Sequence, residues 1–63
     1  MKLKDILERL GHVRAEMRSL YDAAAERGED LTGEPLEKWN TLQAELTDLE
    51  AKETRARQRD ALD

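Results

Sequence analysis

The 63-residue chain has no cysteine and no phenylalanine, and only one proline, one tryptophan, one tyrosine and one histidine. Without cysteine, neither a disulfide nor a thiolate metal site can compensate for a thin core. With two aromatic rings in all, a compact monomeric core is poorly supplied, and chains this short bury only about 60% of their unfolded surface. No apolar run is long enough to cross a bilayer, and the first residues lack the apolar core of a signal peptide. One small, soluble, cytoplasmic domain is expected, with no membrane partner.

What is present points to helices. Charged residues of both signs make up 41% of the chain, and Ala, Glu, Leu, Arg and Lys dominate, as in long solvated helices. The net charge of −4 argues against nucleic acid as the main partner. Leu3, Ile6, Leu10, Val13, Met17, Leu20 and Ala24 follow one another in alternating steps of three and four. That is the a/d rhythm of a coiled coil, whose purpose is to press one helix against another.

The first helix is expected over about residues 3–27. Leu7 and Tyr21 fall at e, one position after d residues, and widen the apolar face. Gly11, at b, reads as a tolerated surface glycine that costs roughly 1 kcal/mol against alanine. Asp5 stands four residues before Arg9, a favourable orientation for an ion pair.

Residues 28–32 form the expected turn. Gly28 suits the left-handed residue that closes a helix. Thr32 suits the N-cap of the next helix, with Leu31 and Leu36 as a hydrophobic staple across it. Pro35 falls where its missing N–H is not needed, and Glu34 suits the positive end of the helix dipole. The second helix, about residues 33–60, carries Leu36 and the seam Trp39, Leu42, Leu46 and Leu49. Beyond it the seam positions become Glu53, Ala56 and Asp60, so a solvated extension fraying toward Asp63 is expected, supported by the pairs Asp48–Lys52 and Glu53–Arg57. The fold class is therefore all-α, an antiparallel two-helix hairpin of coiled-coil type. Isolated hairpins of this size bury little, so association into a helical bundle is expected. The candidate self-association seam is Leu3, Ile6, Leu10, Val13, Met17, Leu20, Trp39, Leu42, Leu46 and Leu49.

Catalytic signals are missing. His12 sits at a solvent-facing c position, and the line Glu8, His12, Glu16 is more simply read as ordinary helix charges than as metal ligands. No glycine-rich phosphate loop is present, and no histidine is placed to activate Ser19, Thr32, Thr41, Thr47 or Thr54. No enzyme, cofactor or metal is expected. Trp39 reads as packing before it reads as a binding hot spot. The basic run from Lys52 to Arg59 is interrupted by Glu53 and reads first as a solvated helix end.

Against this background, three stretches stand out: Asp30-Leu31-Thr32-Gly33-Glu34, Lys38-Trp39-Asn40-Thr41-Leu42 and Glu45-Leu46-Thr47-Asp48-Leu49-Glu50. With them come a Met-Lys-Leu-Lys-Asp opening, Met17-Arg18-Ser19-Leu20, and the alanines 23–25 leading to Gly28, Leu31 and Thr32. In these features the chain resembles the N-terminal scaffolding segment, or delta domain, of tailed-bacteriophage major capsid proteins. Gly33 and Pro35 depart from it, replacing the acidic or alanine residues more usual after the threonine. The resemblance implies that residues 1–63 are an internal scaffolding segment, either a fragment excised from a longer shell-forming protein or a separately encoded scaffold. It implies a homo-oligomer in the procapsid interior, in the host cytoplasm. Its partners would be the remainder of the capsid protein, neighbouring capsid subunits and the maturation protease that removes it. The rival reading is a generic helical-hairpin adaptor. A nucleic-acid-associated coiled coil using the Arg-rich end is disfavoured by the acidic balance.

Overall fold

The 3-4 rhythm of apolar residues decides the architecture. A computed structural model describes residues 2–62. It contains two helices, α1 (Leu3–Glu26) and α2 (Gly33–Leu62), joined by residues 27–32. Residue 9 lies beside residue 45, and residue 21 beside residue 39, so the two helices run antiparallel. The hairpin is elongated, 50 × 15 × 13 Å. Among the described residues there is no strand, and no helix is long and apolar enough to cross a membrane.

The core is one line of side chains between α1 and α2. Ile6, Leu10, Val13 and Met17 from α1 meet Leu42 and Leu49 from α2, with Leu20, Trp39, Leu46 and Ala56 packed against them. Val13 is fully buried and Leu10 is 1% exposed. Leu3 is half-buried at the open end. Ala24 and Leu31 are buried at the closed end, outside the main cluster. Ala56 extends the packing one seam step beyond Leu49, because alanine is small enough to lie against α1 even where the leucines have stopped. α2 then runs to Leu62, which is 88% exposed. The helix is continuous through that extension, and Asp63 lies outside the described residues.

The turn closes α1 with a Schellman arrangement. Gly28 adopts φ +68°. Its N–H donates to Ala25 O at 3.0 Å, and the Glu29 N–H donates to Ala24 O at 3.0 Å, which satisfies carbonyls that the helix would leave orphaned. The start of α2 differs from the expected cap. Gly33 has φ +60°, and a left-handed residue cannot be the first right-handed residue after an N-cap threonine. Among the described residues no hydrogen bond is made by the Thr32 hydroxyl. The side-chain bond that orders this turn runs from the Leu31 N–H to Asp30 Oδ1 at 2.8 Å. The staple is one-sided, with Leu31 buried and Leu36 39% exposed.

Two glycines should respond in opposite directions to alanine. At Gly28 a β-carbon meets the left-handed backbone, and Gly28→Ala should destabilise by about 1–2 kcal/mol. At Gly11 nothing lies within 4 Å of an added β-carbon, so Gly11→Ala should stabilise the helix by about 0.5–1 kcal/mol. Leu10→Ala should cost about 2–5 kcal/mol. Urea unfolding followed by circular dichroism checks all three, and a stabilising Gly28→Ala would show the turn to be otherwise.

Candidate interaction surfaces

The line read from the sequence as a self-association seam lies, in the structure, between the two helices of one chain. Ile6, Leu10, Val13, Met17, Leu42 and Leu49 are buried there, and Leu20, Trp39 and Leu46 flank them. While the hairpin is closed these side chains are not free to meet a second copy. Apolar surface also remains outside this line: Leu7 is 41% exposed, Tyr21 56% and Leu36 39%. All three occupy e positions of their heptads. Tyr21 and Trp39 stand with ring centroids 6.4 Å apart and tilted by 47°, within the range of favourable aromatic pairs. Tyr21 thus prolongs the Trp39 edge of the core outward.

The opposite flank is polar. Arg9 and Glu45, both at g, form a forked pair across the helices, with the second arm from Nη2 to Oε2 at 3.1 Å. Asp5 was the expected partner of Arg9, one turn away on the same helix. A carboxylate on the facing helix matches both arms of the guanidinium, and that two-point geometry wins over a single-helix contact. The pair keeps 43% and 32% of its side-chain surface, so it is screened by salt and fixes register more than it stabilises. The fork holds the Glu45 carboxyl below its ordinary value of 4.5; partial desolvation opposes this, and the charges of Arg9 and His12 add to it.

Beside this pair lies an open groove of about 800 Å³ between the helices. Ala15, Leu20 and Leu42 line it together with Glu16, Glu34, Glu37 and Lys38. His12 also reaches the groove, with Nε2 2.6 Å from Glu16 Oε1. A second cleft, of about 650 Å³, sits at the open end, where Lys2, Lys52, Arg55 and Arg59 surround Leu3, Ile6 and Ala56, with Asp60 among them. The pairs Asp48–Lys52 and Glu53–Arg57 are both formed at 2.9 Å. Thr41, Thr47 and Thr54 donate to the carbonyls four residues back, each at 3.1 Å. Among the described residues no three acidic or histidine side chains converge as metal ligands would.

The groove and the Arg9–Glu45 fork were not read from the sequence. Both follow from the antiparallel register, which places g positions of the two helices together; once residue 9 is aligned with residue 45, the sequence contains the signal. Compared with known proteins, the chain matches no family model, no curated protein and no solved structure.

The fork makes acid sensitivity testable. Because the folded carboxyl of Glu45 titrates below its unfolded value, its contribution is fully present above about pH 4.5 and is lost as pH falls through the lower folded value. Glu45→Gln should therefore lower the urea midpoint at pH 7, and the difference from the parent chain should shrink as the pH drops well below 4.5. A difference that persists unchanged at the acid end would mean that the fork carries no pH-dependent stability.

Proposed function

We propose that this chain is an association module, an internal scaffolding segment that orders phage capsid subunits during procapsid assembly. The observation that carries this reading is an apolar flank outside a core that is already closed: Leu7, Tyr21 and Leu36 remain on the surface after the hairpin has packed. Tyr21 stands against the half-buried Trp39 and Leu7 lies about four turns away along the same flank, so the flank offers separate apolar points at which a protein partner could be held. The capsid setting rests on the resemblance of the turn and the flanking helix segments to delta domains. Such a segment works through many weak contacts between tethered copies, which bias assembly by effective concentration. Its partners are neighbouring capsid subunits, its place is the procapsid interior in the host cytoplasm, and a maturation protease removes it. A net charge of −4 suits a lining that must give way to incoming DNA.

The groove beside Leu20 and Leu42 favours a second reading, an adaptor that accepts a helix of another protein. The two readings separate when residues 1–63 are deleted from a shell-forming protein that carries them. The scaffold reading expects a shell domain that folds yet assembles poorly or aberrantly, seen by electron microscopy of the particles. Leu46→Glu, which forces a charge against the core, should reproduce the defect. His12→Ala and Arg57→Ala, at exposed ion pairs, should leave assembly near normal. Normal procapsids from the deleted protein would remove the scaffold reading and leave the adaptor.

A further inference from the structure

Opposite sides of the hairpin carry complementary chemistry. At about 100° per residue, the b and e positions of a helix share one side and the c and g positions the other. In this antiparallel pair the g positions of both helices face one way, as the Arg9–Glu45 fork shows. On the b/e side α1 presents Lys4, Arg14 and Arg18 around the exposed Leu7 and Tyr21. On the other side the groove sets Glu16, Glu34 and Glu37 around an apolar lining of Ala15, Leu20 and Leu42, the three carboxylates outnumbering Lys38 and the Glu16-bound His12 that share the lining. Among the described residues Arg14 and Arg18 have no carboxylate within ion-pair distance, and Glu34 and Glu37 have no base. Like charges one turn apart on a helix cost a few tenths of a kcal/mol. Arg14 with Arg18 and Glu34 with Glu37 are such pairs, and each favours a cover of opposite sign.

The elongated hairpin leaves more surface open than a compact chain of its mass would. The chain exposes 4907 Å², whereas a compact protein of its 7.3 kDa would expose about 4,200 Å². The surplus of roughly 700 Å² is close to the ~800 Å² that one partner contributes to a standard interface.

We propose that the occupant of the groove is a second copy of this chain, which inserts its Arg14–Arg18–Tyr21 side between the groove carboxylates. This rests on the reading of the chain as an association module and specifies its geometry. The contact is heterologous: each copy offers its cationic side to one neighbour and its groove to another, so copies add in a row that grows or closes into a ring according to the rotation per step. Tyr21 meets the Leu20–Leu42 lining, and the arginines meet Glu16, Glu34 and Glu37. Two cationic sides pressed together in an isologous pair would instead repel.

Charge reversal separates these geometries in the full chain. Sedimentation of the parent chain should show concentration-dependent association that weakens as salt is added. Arg14→Glu with Arg18→Glu disables only the cationic side, and Glu16→Lys with Glu37→Lys disables only the groove. Each double variant alone should associate roughly tenfold or more weakly, with its helical circular dichroism retained. An equimolar mixture should regain association with the two variants alternating, because a native side meets a native groove at one contact and a reversed side meets a reversed groove at the next. A chain carrying all four substitutions should regain association. If a reversal unfolds the hairpin, the glutamine versions of the same residues should show a smaller loss, and their equimolar mixture should pair one to one and stop, because only one groove and one cationic side remain charged between them. A parent chain still monomeric at about 1 mM, a double variant that associates as the parent does, or a mixture that fails to pair would overturn this docking. Procapsid formation by the deleted shell protein reads the function separately, so the docking can fail while the scaffold reading stands.

Discussion

A protein of two helices has one interhelical line, and everything else about this chain depends on that restriction. In a bundle a core residue is covered from several directions, and the loss of one neighbour leaves others. Here Val13 and Leu10 are sealed by a single facing helix. The packing has to be continuous along α1, because no second layer can cover a gap. The same geometry guarantees surface: roughly half of each helix cannot be buried by its one partner. Apolar residues that fall outside the line, at e positions, are exposed by construction. Leu7, Tyr21 and Leu36 are therefore consequences of the two-helix plan as much as of their own hydrophobicity.

The line is set by the turn. Gly28 and Gly33 both take positive φ, and the chain reverses within the six residues 27–32 that join the helices. That reversal fixes which residue of α2 stands opposite each residue of α1. A slip of one residue would rotate a helix by about 100°, carrying Leu42 and Leu49 out of the line and Glu45 away from Arg9. The forked pair adds little energy at its exposed site, yet it penalises the wrong register, since its two arms fit only one alignment. Turn glycines, leucine line and polar fork thus specify the same alignment by three different kinds of force, which is how a sequence selects one structure.

Much of this was legible in the sequence, for identifiable reasons. The heptad steps carried both helices, and Gly28 carried the closure of α1 because few residues tolerate a left-handed backbone. The Thr32 cap was misread because the backbone of Gly33 cannot be seen in a list of side chains; a glycine there could serve either conformation. Arg9 was assigned to Asp5 by local spacing, while its partner lies 36 residues away in sequence. Most instructive is the seam. A knob of leucine fits a hole on any helix, so the 3-4 rhythm states that a helix is covered without stating whose helix covers it. Periodicity reads the same for an intrachain hairpin and for an oligomer. The turn geometry is what lays these leucines between the two helices of one chain, with Leu7, Tyr21 and Leu36 left exposed.

That division of labour bears on how such a module can work. Ile6 through Leu49 are spent inside the chain, so they are not the groups through which the proposed second copy docks. The proposed association draws on a separate and smaller set of groups, charges and a few apolar side chains at the rim. Interfaces of that composition have fast arrival and fast departure, since electrostatic attraction raises the rate of encounter while the thin apolar content limits residence. In the proposed scaffold, this combination lets a wrongly placed subunit leave before its neighbours trap it. An intertwined coiled coil made from the core leucines would hold such errors in place and would resist removal. Reversible order therefore requires the leucine line to be closed within each chain, leaving the weaker rim to meet the neighbour.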